Sequence, residues 1–142
     1  MVIRALILAM AMNSALAADD SGITPQMHDA HLPQIVAVTI VKSGVTSEAT
    51  PESAEQCKNF KLSPQEIRAY IGKAGEVSRE DYFHMLDWSP CSTSGDVTFK
   101  NGLKGRWTIQ QYRAGSLELS TGRTLFLYCP QCRATKFPTA DE

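Results

Sequence analysis

The chain has 142 residues, enough for one domain behind a leader, and its 14 basic and 15 acidic residues give a net charge of −1. A nearly neutral chain lacks the strongly basic domain that nucleic-acid binding requires, so we expect no nucleic-acid partner. Four cysteines, an even number, indicate disulfide bonds if the chain is exported.

The N-terminus has the pattern of a secretory signal peptide. Arg4 supplies the positive charge, residues 5–12 form an apolar stretch, and residues 15–17 are a small-x-small cleavage signature. The apolar stretch is shorter than the roughly 20 residues that a membrane-spanning helix needs. We therefore expect residues 1–17 to be cleaved, which leaves a periplasmic or secreted protein without a stable membrane anchor.

Residues 18–56 are predicted to be a polar leader and linker with a short apolar segment at 35–41. The β-branched residues of that segment favour a strand, although periodicity cannot exclude a helix over so few residues. Residues 43–56 are rich in Ser, Thr, Glu and Pro, which is typical of a solvated linker. His28 and His31 could share a helical face and bind a metal, but no third ligand is near, and we interpret them as a solvated tail.

One helix is clearly indicated after the linker. Ser63 is a favourable N-cap, Pro64 suits the first helical position, and Glu66 completes a capping box. Gly75 is placed to end the helix in a left-handed cap. An apolar stripe at helical spacing predicts a buried face formed by Ile67, Tyr70, Ile71 and Ala74.

Three triplets that end in glycine, at 100–102, 113–115 and 120–122, interrupt an alternating apolar pattern. They predict a four-stranded antiparallel meander with three-residue loops, because a two-residue loop at Asn101-Gly102 would mix apolar and charged residues on one face. The predicted register places Phe99 opposite Leu103, Val97 opposite Gly105, Gln111 opposite Leu117, Ile109 opposite Leu119, and Leu117 opposite Leu125.

The meander then has one apolar and one polar face, and the apolar face should pack on the capped helix. The predicted fold class is α+β, with a single disulfide-stapled domain at 57–142. Phe126 and Tyr128 lie on the polar face. Two interpretations remain open: either segment 35–41 or the C-terminal tail covers them, or they belong to a partner-binding patch.

The cysteines allow several interpretations. Cys129 and Cys132 form a CxxC after an apolar strand, similar to the redox turn of thioredoxin-like proteins, but too few residues follow to supply the helix of that fold. Zinc held by all four thiolates is an alternative. We favour disulfides that link Cys57 and Cys91 separately to the CxxC pair, and both such connectivities remain open.

Residues 78–91 are ambiguous, because Ser78 and Asp81 could cap a short helix while the residues that follow could form a strand. An enzyme could use His84 as a base oriented by Asp87. No glycine-flanked nucleophile is present in this segment, so we favour a structural interpretation with Trp88 in the core.

Four short motifs characterise the stretch from Cys57 to Cys132. They are Cys57…Phe60-x-Leu62-Ser63, Asp87-Trp88-Ser89-Pro90-Cys91, Gly102-x-x-Gly105-x-Trp107 and Leu127-Tyr128-Cys129. On these residues the stretch resembles a type of small exported domain found in Gram-negative bacteria. The resemblance implies no catalytic residues. Compact, disulfide-bonded periplasmic proteins of this size include inhibitors and immunity proteins, which is an analogy of size and compartment.

The sequence therefore favours a periplasmic, non-enzymatic protein-binding module, such as an immunity protein or inhibitor, with no cofactor, metal or catalytic residue. Its expected partner is another protein. One alternative is a small hydrolase or metal-dependent enzyme using His84 and Asp87, and another is a structural or stress-related envelope protein. The expected partner contacts are Tyr112, Arg113, Phe126, Tyr128, Lys104 and Arg106.

Overall fold

The computed structural model describes residues 24–138, so the predicted signal peptide at 1–17 lies outside the described residues. Seven strands and three helices are present in this part of the chain. In chain order they are β1 (His28–Asp29), β2 (Ile35–Thr46), α1 (Pro51–Cys57), α2 (Pro64–Lys73), β3 (Gly75–Val77), α3 (Arg79–His84), β4 (Cys91–Phe99), β5 (Lys104–Gln110), β6 (Ala114–Leu119) and β7 (Thr124–Tyr128). The predicted α+β class is confirmed. No helix within residues 24–138 is long and apolar enough to cross a membrane.

All strands join one antiparallel sheet in the order β1-β3-β7-β6-β5-β4-β2. The sheet therefore has seven strands and not the predicted four. Strands β4 to β7 are consecutive neighbours in its middle. Strand β2 extends one side of the sheet, and β3 and β1 extend the other. These three strands come from segments that precede the three glycine triplets in the sequence.

The predicted linker at 43–56 is wrong. Strand β2 begins at the predicted apolar segment but continues to Thr46, where it is still paired with β4. Thr50 then caps α1, since its side chain accepts a hydrogen bond from the amide of Ser53, and Pro51 occupies the first turn. The polar composition therefore reflects an exposed edge strand and a short, capped surface helix.

Helix α2 begins as predicted. The Ser63 side chain accepts from the amide of Glu66 at 3.1 Å, and the Glu66 carboxylate accepts from the amide of Ser63 at 3.0 Å. The expected left-handed cap at Gly75 is wrong. Ala74 is already extended and Gly75 is the first residue of β3, so the chain passes directly from the helix into a strand that pairs with β7.

The register is correct at two of the three predicted turns. Val97 lies opposite Gly105, and Leu117 lies opposite Leu125, as the sequence predicts. The middle turn is two residues earlier than expected, because Ile109 lies opposite Gly115 and not opposite Leu119. The pairing therefore shifts by four residues, an even number that keeps each side chain on its face, so the predicted alternation of buried and exposed positions holds.

Gly115 is needed for packing and not for a turn. A Cβ at this position would lie 2.7 Å from the Tyr70 hydroxyl and 2.8 Å from the Thr108 carbonyl oxygen. The left-handed residue of the middle turn is Arg113, with φ of 73°. Gly115 is therefore required by the structure, but for the close approach of α2 to β6 and not for the predicted turn.

The core lies between α1 and α2 and the apolar face of the sheet. Trp107 fills its centre and donates from its indole nitrogen to the carbonyl of Asp96 at 3.0 Å, which satisfies its one polar group. Helix α3 lies on the opposite face, where Tyr82 packs on Phe126. The sheet is thus covered by two helices on one face and partly by one helix on the other.

Two disulfides staple the fold, but neither predicted connectivity is correct. Cys57 bonds to Cys91, and Cys129 bonds to Cys132. Helix α1, which was not predicted, places Cys57 beside the first residue of β4. Because all four thiols are oxidised, the zinc alternative is wrong as well. The disulfides indicate an oxidising, extracytoplasmic environment.

Candidate functional site

The face of the sheet opposite α1 and α2, called here the outer face, carries the candidate site. Its polar half contains Lys104 and Arg106 of β5, both exposed, beside Asp96 of β4 and Glu118 of β6. These side chains line a shallow depression of about 490 Å³. The strand register places Asp96 and Glu118 on either side of Arg106, so positive and negative charges alternate across the strands.

The other half of the outer face is aromatic. Ser78 caps α3 by accepting from the amide of Asp81 at 3.0 Å. The helix then places the ring centroid of Tyr82 at 4.9 Å, and that of Phe83 at 5.6 Å, from the centroid of Phe126. Helix α3 therefore covers Phe126, so the interpretation that segment 35–41 or the C-terminal tail covers this ring is wrong.

Arg79, at the start of α3, completes the cluster. Its guanidinium carbon lies 5.2 Å from the ring centroid of Phe83 and 5.9 Å from that of Phe126, within cation–π range. Helical spacing explains the contact, because residues 79, 82 and 83 project from one side of a helix. In the sequence, Ser78 and Asp81 indicate the start of this helix, but the residues that follow are equally compatible with a strand.

Two large apolar side chains remain exposed in this region. Phe83 is 58% exposed, and Trp88, five residues further along the chain, is 60% exposed. The predicted burial of Trp88 in the core is therefore wrong. We call the exposed residues Arg79, Phe83 and Trp88 the aromatic surface; Tyr82 and Phe126 lie beneath Phe83.

The other predicted contact residues have different environments. Arg113 and Tyr112 lie in the turn between β5 and β6 and are half-buried. The Nε of Arg113 donates to the carbonyl of Cys132 at 3.0 Å, and its guanidinium lies 5.6 Å from the ring centroid of Phe137. Arg113 therefore holds the C-terminal segment. Tyr128 is half-buried on the outer face, between Gly75 of β3 and Ala114 of β6.

His84 and Asp87 are not organised as a catalytic pair. Both side chains are exposed, and no hydrogen bond joins them within residues 24–138. His28 lies in β1, and His31 follows it with a left-handed φ of 49°, so the two do not share a helical face. The described part of the chain holds no group of three or more His, Cys, Asp or Glu side chains able to bind a metal ion.

Two tyrosines have pKa values that their surroundings raise. Burial raises the pKa of Tyr70 well above its ordinary value, and burial also raises the pKa of Tyr82. Both phenols are therefore neutral at physiological pH. Tyr70 donates to the carbonyl of Arg113, and the Tyr82 hydroxyl accepts from the side-chain Nε2 of Gln110 at 3.3 Å, so both act as structural groups.

Comparisons with known proteins give no family for this chain, because no family model, curated protein or solved structure matches it. A functional proposal must therefore depend on the geometry of the chain itself.

Proposed function

We propose that the mature chain is a periplasmic, non-enzymatic protein-binding module that acts as an immunity protein or inhibitor. The observation that carries this proposal is the aromatic surface, where Phe83 lies beside Arg79 and both Phe83 and Trp88 are more than half exposed. Full burial of one large apolar side chain is worth about 1.5–3 kcal/mol. Trp and Arg are also the residue types most enriched among interface hot spots.

The contacts beneath the aromatic surface support a rigid docking site. The Phe83 ring meets Tyr82 at a centroid distance of 5.1 Å and Phe126 at 5.6 Å, and Arg79 covers both phenylalanines. These contacts restrict the motion of the Arg79 and Phe83 side chains before a partner binds. Less side-chain entropy is then lost on association, which strengthens binding.

The charged part of the outer face supplies a polar rim in this proposal. Lys104 and Arg106 are exposed, and Asp96 and Glu118 alternate with them in sign. Rim charges of this kind affect orientation and association rate more than affinity. Arg113 has no part in the rim, because its side chain is engaged with Cys132 and Phe137.

A capture experiment with two matched variants tests the proposal. The oxidised mature protein, a Phe83→Ala/Trp88→Ala variant and a Val36→Ala variant are immobilised and exposed to a bacterial periplasmic extract. Val36 is 55% exposed, but on β2, so it controls for loss of exposed apolar area. The retained proteins are quantified by mass spectrometry.

We expect one stoichiometric partner on the wild type and on the β2 variant, and a loss of at least about tenfold on the aromatic variant, as hot-spot truncation predicts. Calorimetric titration with the purified partner then gives the affinity change directly. The same set of retained proteins on all three baits would overturn the proposal that the aromatic surface binds a partner.

A further inference from the structure

The two disulfides differ in their access to solvent. Cys57, Cys91 and Cys129 are fully buried, whereas Cys132 is 5% exposed and lines a small surface cavity of about 190 Å³. The cavity opens on the α2 side of the sheet, so it is separate from the aromatic surface. Cys132 is therefore the one of the four cysteines that an external thiol can reach through this cavity.

The cavity is electropositive. Lys73 of α2 and Arg133 line it together with Cys132, and Glu66 is the one acidic side chain among its lining residues. The Glu66 carboxylate already faces the Lys136 ammonium at 3.9 Å. An excess of positive charge beside a cysteine attracts an incoming thiolate and stabilises a thiolate that forms there.

The Cys129–Cys132 bond also constrains the chain less than the other disulfide does. It closes a separation of 3 residues, whereas Cys57–Cys91 closes a separation of 34. A shorter loop removes less entropy from the unfolded chain, so its opening affects folding less. The turn has further supports, because Gln131 donates to the carbonyl of Lys73 at 3.1 Å and Arg113 donates to that of Cys132.

We propose that Cys132 is a thiol–disulfide exchange site that reacts with an external dithiol. A thiolate of the dithiol attacks the Sγ of Cys132, the Cys129–Cys132 bond breaks, and Cys129 leaves as a thiolate that takes up a proton. The second thiol of the dithiol then loses its proton and attacks the dithiol sulfur that is bonded to Cys132. This step releases Cys132 as a thiolate. Two electrons pass to the protein, the dithiol becomes a disulfide, and its two protons are transferred to the cysteines or the solvent.

Graded reduction of the native protein tests this site without any substitution. The oxidised protein is exposed to dithiothreitol near neutral pH, quenched with acid at intervals and alkylated, and the two disulfides are followed by peptide mass mapping. We expect Cys129–Cys132 to open at least about tenfold faster than Cys57–Cys91 while circular dichroism stays native. Equal rates, or opening that occurs only together with loss of the native signal, would overturn the proposal.

Two single variants locate the reactive sulfur. Cys129→Ser leaves Cys132 as a free thiol, and Cys132→Ser leaves Cys129 free. Iodoacetamide should alkylate Cys132 at least about tenfold faster than Cys129, because Cys132 lines the cavity whereas Cys129 has no exposed surface. Faster alkylation of Cys129 would contradict attack at Cys132.

A charge variant tests the role of the cavity. In Lys73→Gln/Arg133→Gln the opening of Cys129–Cys132 should slow by about threefold or more, since the local positive charge is lost. Lys61→Gln, at an exposed lysine outside the lining, is the control and should leave the rate unchanged. An unchanged rate in the double variant would rule out electrostatic assistance by the cavity.

Discussion

The hydroxyl of Tyr70 donates a hydrogen bond of 2.7 Å to the backbone carbonyl of Arg113. Tyr70 lies on α2 and Arg113 in the turn between β5 and β6, so the bond joins the helical layer to the sheet. Arg113 has φ of 73°, which is uncommon for a residue other than glycine. The same carbonyl accepts from the amide of Cys129 at 3.2 Å. Tertiary contacts therefore hold this backbone conformation.

Replacement of Tyr70 by Phe should lower the free energy of unfolding by about 0.5–1.5 kcal/mol. The variant loses the bond to Arg113 and the longer, 3.4 Å contact of the same hydroxyl with the Leu127 carbonyl, while the Arg113 carbonyl keeps its bond to Cys129. Urea denaturation measures the difference. Tyr112→Phe is the matched control, because the Tyr112 hydroxyl makes no hydrogen bond within the described part of the chain. Equal losses in the two variants would contradict the importance of the Tyr70–Arg113 bond.

Stability should also fall at alkaline pH. Burial raises the pKa of Tyr70 well above its ordinary value, and burial raises that of Tyr82. An unfolded tyrosine loses its proton near pH 10, whereas these phenols keep theirs in the native state. Their contribution is therefore complete below about pH 10 and is lost as pH rises above it, because only the unfolded state releases protons there.

Urea denaturation between about pH 8 and 11 checks this dependence. The free energy of unfolding should decrease more steeply for the wild type than for Tyr70→Phe, which has lost the most strongly shifted phenol. Tyr82→Phe should have a smaller effect, since Tyr82 is only partly buried. An identical slope in the wild type and Tyr70→Phe would show that Tyr70 does not couple folding to pH.

The parts of this fold that the sequence predicts are those with local causes. The capping box of Ser63 and Glu66 involves residues three apart, and the alternation in the central strands is a property of each strand alone. Both are present in the structure. The turn at 111–113 depends on contacts with Tyr70 and the C-terminal segment, which are distant in sequence, so a local glycine rule placed it wrongly.

The site was harder to predict for the same reason. The strand alternation places Phe126 on a polar face, but the rings that cover it belong to α3, which reaches it only through the tertiary fold. The expectation that Trp88 lies in the core is wrong, because its exposure depends on the path of the chain between α3 and β4. Likewise, the Cys57–Cys91 bond depends on α1, because this helix positions Cys57. The polar composition of residues 43–56 favours a linker and gives little indication of that helix.

A pair of glycine substitutions separates packing from helix propensity. A Cβ at Gly115 would lie 2.7 Å from the Tyr70 hydroxyl, so Gly115→Ala should destabilise the protein by about 1–3 kcal/mol. Gly72, in α2, has no atom within 4 Å of an added Cβ. Gly72→Ala should therefore stabilise by about 0.5–1 kcal/mol through helix propensity. Chemical denaturation of both variants gives the signs, and a stabilising Gly115→Ala would refute the close approach.

The two disulfides should contribute unequally to stability. Replacement of Cys57 and Cys91 by Ala removes a bond across 34 residues, for which loop entropy predicts a loss of about 3–4 kcal/mol. The same change at Cys129 and Cys132 opens a separation of 3 residues and should cost about 2 kcal/mol. Denaturation of the two double variants compares them directly, and a larger loss at Cys129 and Cys132 would contradict this order.

Arg113→Lys should loosen the C-terminal segment. Lysine keeps the positive charge but loses the Nε–H that donates to the Cys132 carbonyl at 3.0 Å and the planar group that stacks on Phe137. We expect faster amide hydrogen exchange in residues 129–138 and a global loss of about 0.5–1.5 kcal/mol, the usual worth of one hydrogen bond. Exchange followed by mass spectrometry localises the effect. Arg106→Lys, at an exposed arginine on the outer face, is the control and should leave that segment unchanged. Unchanged exchange in Arg113→Lys would mean that Phe137, which is buried against Phe60, holds the segment without help from the arginine.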